Sequence, residues 1–288
     1  MRYGIIDVGS NSVRLLLSDE QERIYKLSAI TGLAKGMDKT GALVGKNAEE
    51  TIAAVSFFKN KATADGANKI FAFATSAVRT AKNSEEFVKR VAEVCGVNLE
   101  VVSEETEAAL GYLGALCFRD GGIIDIGGGS TEIQVVGGGE IIYAKSIPVG
   151  AVRLTDACGQ DERMLDELCD IQVEKFGSIP KAEFVAIGGT ATTAAAMILG
   201  LENYDAKKIE GFVLDKDALF SLKEKICKTS VSERRKMKGL QIGREEIIGS
   251  GLAFLCAIYD KTGIKSAKIS DKDNLEGYLL RKIYEQKG

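Results

Sequence analysis

Residues 5–17 (IIDVGSNSVRLLL) and 123–135 (IIDIGGGSTEIQV) align without a gap at a constant offset of 118. Ile5, Ile6, Asp7, Gly9 and Ser12 recur as Ile123, Ile124, Asp125, Gly127 and Ser130. A spacing this long exceeds the period of a solenoid unit and predicts two copies of one domain type. Each copy opens with an apolar run, a small-residue turn and a second apolar stretch. A third short strand is expected near 22–29 and near 140–146, which makes each opening a three-stranded meander. The first copy then predicts helices near 47–65, 84–94 and 104–118, with strands at 70–74 and 99–102. The second predicts helices near 161–176, 190–199, 215–227, 245–259 and 275–286, with strands at 184–187 and 267–270. This alternation implies an α/β layer structure. The boundary is placed at Arg119-Asp120-Gly121-Gly122, giving domains 1–118 and 119–288, with the last helix able to return to the first domain. With only two prolines and no low-complexity linker, the domains are expected to pack around a shared central cleft.

Composition narrows the chemistry. The 288 residues are 45% hydrophobic and 27% charged, enough to bury a substantial core. No basic leader precedes an apolar run, and no apolar stretch approaches the roughly 18 residues of a membrane span. A cytoplasmic location without membrane association is therefore expected. Histidine is absent, which excludes Ser-His-Asp and Cys-His catalysis and any His base. The six cysteines are scattered without a Cys-x-x-Cys pair, so they are expected to be reduced, mostly buried hydrophobes. A net charge of −3 argues against an extended nucleic-acid partner. A homodimer stays open.

Catalysis must then rest on carboxylates, Lys, Arg, hydroxyls or a hard metal ion. In the first turn Gly9, Ser10, Asn11 and Ser12 let the backbone approach a ligand and offer donors to phosphate oxygens. Asp7 at the strand end can orient water or hold hydrated Mg²⁺. A plain hairpin turn has the same composition. In the second turn Gly127, Gly128 and Gly129 each cost backbone entropy, which makes sense where a backbone wraps an anion, with Ser130, Thr131 and Asp125 beside them. Two positions break the repeat: Arg14 matches Glu132, and Asn11 matches Gly129. Arg14 can neutralise phosphate charge and Glu132 can bind metal or position water. Both can equally be strand residues facing solvent.

Ala74-Thr75-Ser76-Ala77-Val78-Arg79 follows a buried strand, so Thr75, Ser76 and Arg79 fall at the edge where α/β ligands bind, or else form a helix cap. Gly188–Thr193 is the corresponding small-residue junction of the second copy. Glu104, Glu105 and Glu107 begin a helix, a place that favours carboxylates whether solvated or catalytic. The basic stretch Arg234-Arg235-Lys236-Met237-Lys238 is either a solvated helix face or a positive path for a polyanion.

Taken in order, IDVGSNSVRLL (6–16), LAKGMDKTGAL (33–43), ATSAVR (74–79), VSEETEAALGYLG (102–114), IDIGGGSTE (124–132), IPVGAVRLT (147–155) and IGGTATT (187–193) resemble the exopolyphosphatase and guanosine pentaphosphate phosphohydrolase family. The resemblance runs nearly end to end and corresponds to the short two-domain form. It implies two ribonuclease-H-like domains of the actin, Hsp70 and sugar-kinase superfamily, an active site in the cleft between them, and a divalent metal, usually Mg²⁺. By the same matching, Glu107 is the base that activates water, Arg79, Asn11 and Gly127–Thr131 contact phosphate, and Asp125 and Glu132 assist metal or water. The chain departs from the pattern at Glu104 and Thr106, at Glu245 and Glu246, and at Asp273-Asn274-Leu275-Glu276-Gly277, which lacks the family's Arg.

The expected activity is metal-assisted release of terminal orthophosphate from inorganic polyphosphate, with pppGpp as second substrate. Two rivals stand beside it: a sensor that binds polyphosphate or guanosine polyphosphate without hydrolysis, and a superfamily kinase.

Overall fold

The computed structural model describes residues 1–20 and 22–286. The chain folds as two compact units, Met1–Gly114 with the segment from Asn274 onward, and Ala115–Asp273.

In the first unit, β1 (Arg2–Val8), β2 (Ser12–Asp19) and β3 (Arg23–Ile30) form the antiparallel meander, and β4 (Lys69–Ala74) and β5 (Leu99–Val101) continue the sheet parallel to β1. The strand order is β3-β2-β1-β4-β5. β1 lies at the centre of the sheet, which explains why Gly4-Ile5-Ile6 is apolar on both faces. One face is covered by the helix Gly45–Ala64. Against the other, Tyr3, Ile5, Leu16, Phe73 and Leu110 enclose Leu275, Tyr278, Leu279 and Ile283 of the C-terminal helix Asn274–Glu285. Tyr278 stacks on Phe73 with ring centroids 4.5 Å apart and donates its hydroxyl to Glu100 at 2.6 Å. At Gly277 a Cβ would overlap the Leu110 carbonyl, so only glycine permits this approach.

The second unit repeats the plan. β6 (Gly121–Ile126), β7 (Thr131–Gly137) and β8 (Glu140–Ile147) form the meander, β9 (Phe184–Ile187) runs parallel to β6, and β10 (Val213–Asp215) and β11 (Ser266–Ile269) complete the order β10-β11-β9-β6-β7-β8. The helices Gly188–Ile198 and Ile248–Thr262 supply much of its core. Two α/β sheets, each with a three-stranded meander continued by parallel strands, are thus present, as the repeat predicts. The helix Ala151–Cys158 and strand β10 were not expected. Among the described residues no helix is long and apolar enough to cross a membrane, and all six cysteines are free, four of them buried.

Candidate active site

In the first unit three strand ends meet at one edge of the sheet. β1 and β4 run parallel with Asp7 beside Phe73, and β4 pairs with β5 through Ala74 and Val101. Asp7, the Thr75–Arg79 segment and the start of the helix Glu104–Leu116 therefore share the C-terminal edge, where ligands of such sheets bind. Thr75 and Ser76 are buried there.

Asp7 and Arg14 are register partners across β1 and β2. Arg14 Nε donates to Asp7 Oδ2 at 3.0 Å, and Nη2 donates to the same oxygen. The Asp7 side chain is 3% exposed, so this guanidinium is its built-in counter-charge. The turn between them is closed by the Gly9 N–H on the Ser12 carbonyl at 3.0 Å. The carbonyl of Asn11 accepts the N–H groups of Thr31 and Gly32, and that of Ser10 accepts Ala34 N–H. With those carbonyls turned toward residues 31–34, the N–H groups of Ser10 and Asn11 have no intramolecular acceptor among the described residues. The buried Asn11 Nδ2 likewise has none. Successive donors of this kind make an anion nest.

Arg79 Nη1 bridges Glu107 Oε2 at 2.7 Å and the Val102 carbonyl at 3.0 Å. Glu107 is 7% exposed, whereas Glu104 is open to solvent and lies 3.7 Å from Arg79. Burial pushes the Glu107 carboxyl above the ordinary carboxylate value. The hydrogen bond and charge of Arg79 oppose this, and the negative charges of Asp7 and Glu104 reinforce it. Arg79 Nε is buried without a hydrogen-bond partner among the described residues.

In the second unit Asp125 and Glu132 occupy the same register positions across β6 and β7. Here the pair is like-charged, and Ser146 Oγ donates to Glu132 Oε1 at 2.8 Å. The turn is closed by Gly127 N–H on the Ser130 carbonyl at 3.0 Å, matching the first turn. The carbonyls of Gly127 and Gly128 accept the first N–H groups of the helix Ala151–Cys158, and Gly150 packs so closely that a Cβ would stand 2.6 Å from the Gly128 backbone. Part of the reason for these glycines is therefore internal packing. The same arrangement leaves the N–H groups of Gly128 and Gly129 without an intramolecular acceptor among the described residues. Thr131 does not join them through its side chain: its hydroxyl is fully buried and donates to the Val149 carbonyl at 2.6 Å. Ser130 is also buried.

Beside this turn the helix Gly188–Ile198 begins at Gly188, in the left-handed region at φ 80, where a Cβ would run into Asp125 Oδ1. Arg244, which the sequence does not mark as a site residue, lays its guanidinium on Gly189 and donates from Nε to Gln241 at 3.1 Å. The basic stretch is not a free positive path. Arg234 is 3% exposed and donates to the carbonyls of Ile226, Thr229 and Glu245 and to Gln160. Arg235 pairs with Glu245, and Lys238 with Glu202.

Among the described residues no group of three or more His, Cys, Asp or Glu is placed to hold a metal ion. The cross-strand pair Asp125 and Glu132 nevertheless fits a hard cation, because Mg²⁺ is commonly bound by one or two carboxylates together with substrate phosphates and water. Asp7 fits less well, since Arg14 already neutralises it.

The model of the Ppx/GppA phosphatase family matches residues 17–286. Among curated proteins, the chain is 27% identical to exopolyphosphatase 2 of Mycobacterium tuberculosis, over 97% of this chain and 98% of that one. It is 29% identical to exopolyphosphatase 1 of Mycobacterium bovis, over 98% and 88%. Among solved structures, a Ppx/GppA family member from Aquifex aeolicus is 28% identical with a TM-score of 0.81, covering 100% of this chain and 99% of that one. An exopolyphosphatase-like protein reaches a TM-score of 0.90 at 25% identity, covering 99% and 100%.

Proposed function

The chain belongs to the Ppx/GppA phosphatase family and is a phosphoanhydride hydrolase, and from that premise we propose that it releases orthophosphate from the end of inorganic polyphosphate, with Glu107 as general base. The observation that carries this is the buried Glu107 held by Arg79 at the same sheet edge as the Ser10–Asn11 donors. A carboxylate whose proton affinity burial has raised is a better base than a solvated one, while Arg79 fixes its orientation. Glu107 takes a proton from water, and the oxygen attacks the terminal phosphorus. The bond to the bridging oxygen breaks, and the chain leaves one phosphate shorter.

Charge on the transferred group is met by the partly exposed Arg79 guanidinium and by the N–H groups of Ser10 and Asn11, preorganised donors of the kind that supply most of the rate in phosphoryl transfer. Within the second unit, the N–H groups of Gly128 and Gly129 form a set of donors of the same type. Asp125 and Glu132 are the residues that would hold Mg²⁺, whose chemistry is to neutralise the phosphate oxygens. Arg14 anchors Asp7 and so shapes the first turn.

Orthophosphate release with Mg²⁺ is to be measured on long-chain polyphosphate, short polyphosphate and pppGpp. Release from polyphosphate at a higher kcat/KM than from pppGpp is expected. Tight binding of polyphosphate without release, or preference for pppGpp, overturns the assignment.

A further inference from the structure

The parallel strands β6, β9 and β11 begin at the end of the second sheet opposite its Gly-rich turn, and a cleft of about 620 Å³ opens there. That volume lies within the range of small-molecule pockets. Leu116, Phe184 and Val213 give it an apolar wall. Arg119, Lys265 and Lys268 line the same cleft, and none of the three forms an ion pair among the described residues. Arg119 is held by its Nε on the Leu116 carbonyl at 3.1 Å.

Two carboxylates are present, Glu183 and Asp120, and Asp120 is turned to the N–H groups of Gly138 and Gly139 at 2.8 and 2.9 Å, so the three cations outnumber the carboxylates in the cleft. Surface cations usually lie near carboxylates, and their collection around an apolar hollow favours a ligand carrying the opposite charge.

We propose that this cleft is a second ligand site, distinct from the phosphate turns, for a small anion with an apolar body. The anionic group would be met by Arg119, Lys265 and Lys268 and the apolar part by Leu116, Phe184 and Val213. The wall at Leu116 is the last residue of the helix that begins with Glu104 and carries Glu107.

The probe is 1-anilinonaphthalene-8-sulfonate, titrated by fluorescence into the full chain, with folding of each variant checked by circular dichroism. One equivalent is expected to bind, and the uncharged N-phenyl-1-naphthylamine to bind more weakly. Lys265→Glu with Lys268→Glu is expected to weaken the sulfonate by at least about tenfold, since both charges are reversed at the rim. Val213→Asp, at a half-exposed wall position, is expected to weaken it as well. Lys207→Glu with Lys208→Glu, on a short exposed helix elsewhere in the unit, should leave it unchanged. No saturable binding, equal affinity in the Lys265/Lys268 variant and the parent, or an equal loss in the Lys207/Lys208 variant overturns the proposal.

Discussion

Glu107→Gln separates binding from chemistry. Glutamine has the same shape and keeps an oxygen for Arg79 Nη1, which Glu107 now accepts at 2.7 Å, and Arg79 retains its second anchor on the Val102 carbonyl. Phosphate donors and the turn are untouched, so KM should move by no more than about threefold, whereas loss of the base costs kcat at least about a hundredfold, or about 2.7 kcal/mol of barrier. The pH dependence carries a second signature. Burial raises the Glu107 pKa above its ordinary 4.5 against the pull of Arg79, so the acid limb of kcat/KM should lie above the range of a solvated carboxylate. The folded state then holds this proton more tightly than the unfolded state. Its contribution to stability is full below 4.5 and is lost as pH rises through the raised folded value. Glu107→Gln should remove that slope, seen as urea midpoints that no longer fall across this window. Initial rates of orthophosphate release at saturating polyphosphate, with KM and the urea series, provide the test. A variant within about tenfold of parental kcat refutes Glu107 as the base.

Arg14→Ala leaves the Asp7 carboxylate, 3% exposed, without its cross-strand guanidinium, and should cost about 3 kcal/mol, the lower end for a broken buried pair because Arg14 is 19% exposed. Asp7→Ala combined with Arg14→Ala should cost less than the sum of the single changes, as read in a urea double-mutant cycle; additivity would remove the coupling. Gly188→Ala forces a side chain into a left-handed backbone position and into Asp125 Oδ1. About 1 to 2 kcal/mol of stability should be lost. Activity should fall further than that loss of folded protein explains, and an active variant of parental stability would contradict this.

The repeat made the meanders legible, and with them both sheets, because an apolar run, a small turn and a second apolar run can bury one face only as a hairpin. The Asp7–Arg14 pair is also in the sequence. Counting outward from a turn closed by Gly9 and Ser12 sets Val8 opposite Val13 and Asp7 opposite Arg14. The helix Ala151–Cys158 was hidden because Pro148 and Gly150 read as loop, and the carbonyls that satisfy its first N–H groups come from Gly127 and Gly128, remote in sequence. Strand β10 has three residues, too few to show a period. Composition could not separate Glu107 from Glu104 and Glu105, since all three occupy the first turn of one helix. Only the family resemblance singled it out, and in the structure it is the one of the three that is buried against Arg79. Arg244 left no local signal beyond a nearby charge. It matters because Gly189 lacks a Cβ, and that contact joins two distant segments.

The two hairpins share register and turn closure, yet differ in charge at one position, Arg14 in the first and Glu132 in the second. A carboxylate opposite an arginine is neutral without help, whereas two carboxylates directly opposite repel and favour a bound cation. Glu132→Arg copies the first hairpin onto the second, placing an arginine directly across the strands from Asp125. The variant should lose hydrolysis while gaining a few tenths of a kcal/mol to about 1 kcal/mol in stability without added metal, the size of a cross-strand charge pair. Its melting temperature should then be indifferent to Mg²⁺, while that of the parent chain rises with Mg²⁺. This thermal titration needs no turnover, so it separates cation binding from catalysis. An equal Mg²⁺-dependent rise in both proteins would place the cation elsewhere and leave the asymmetry of the duplicated hairpins without a role in binding it.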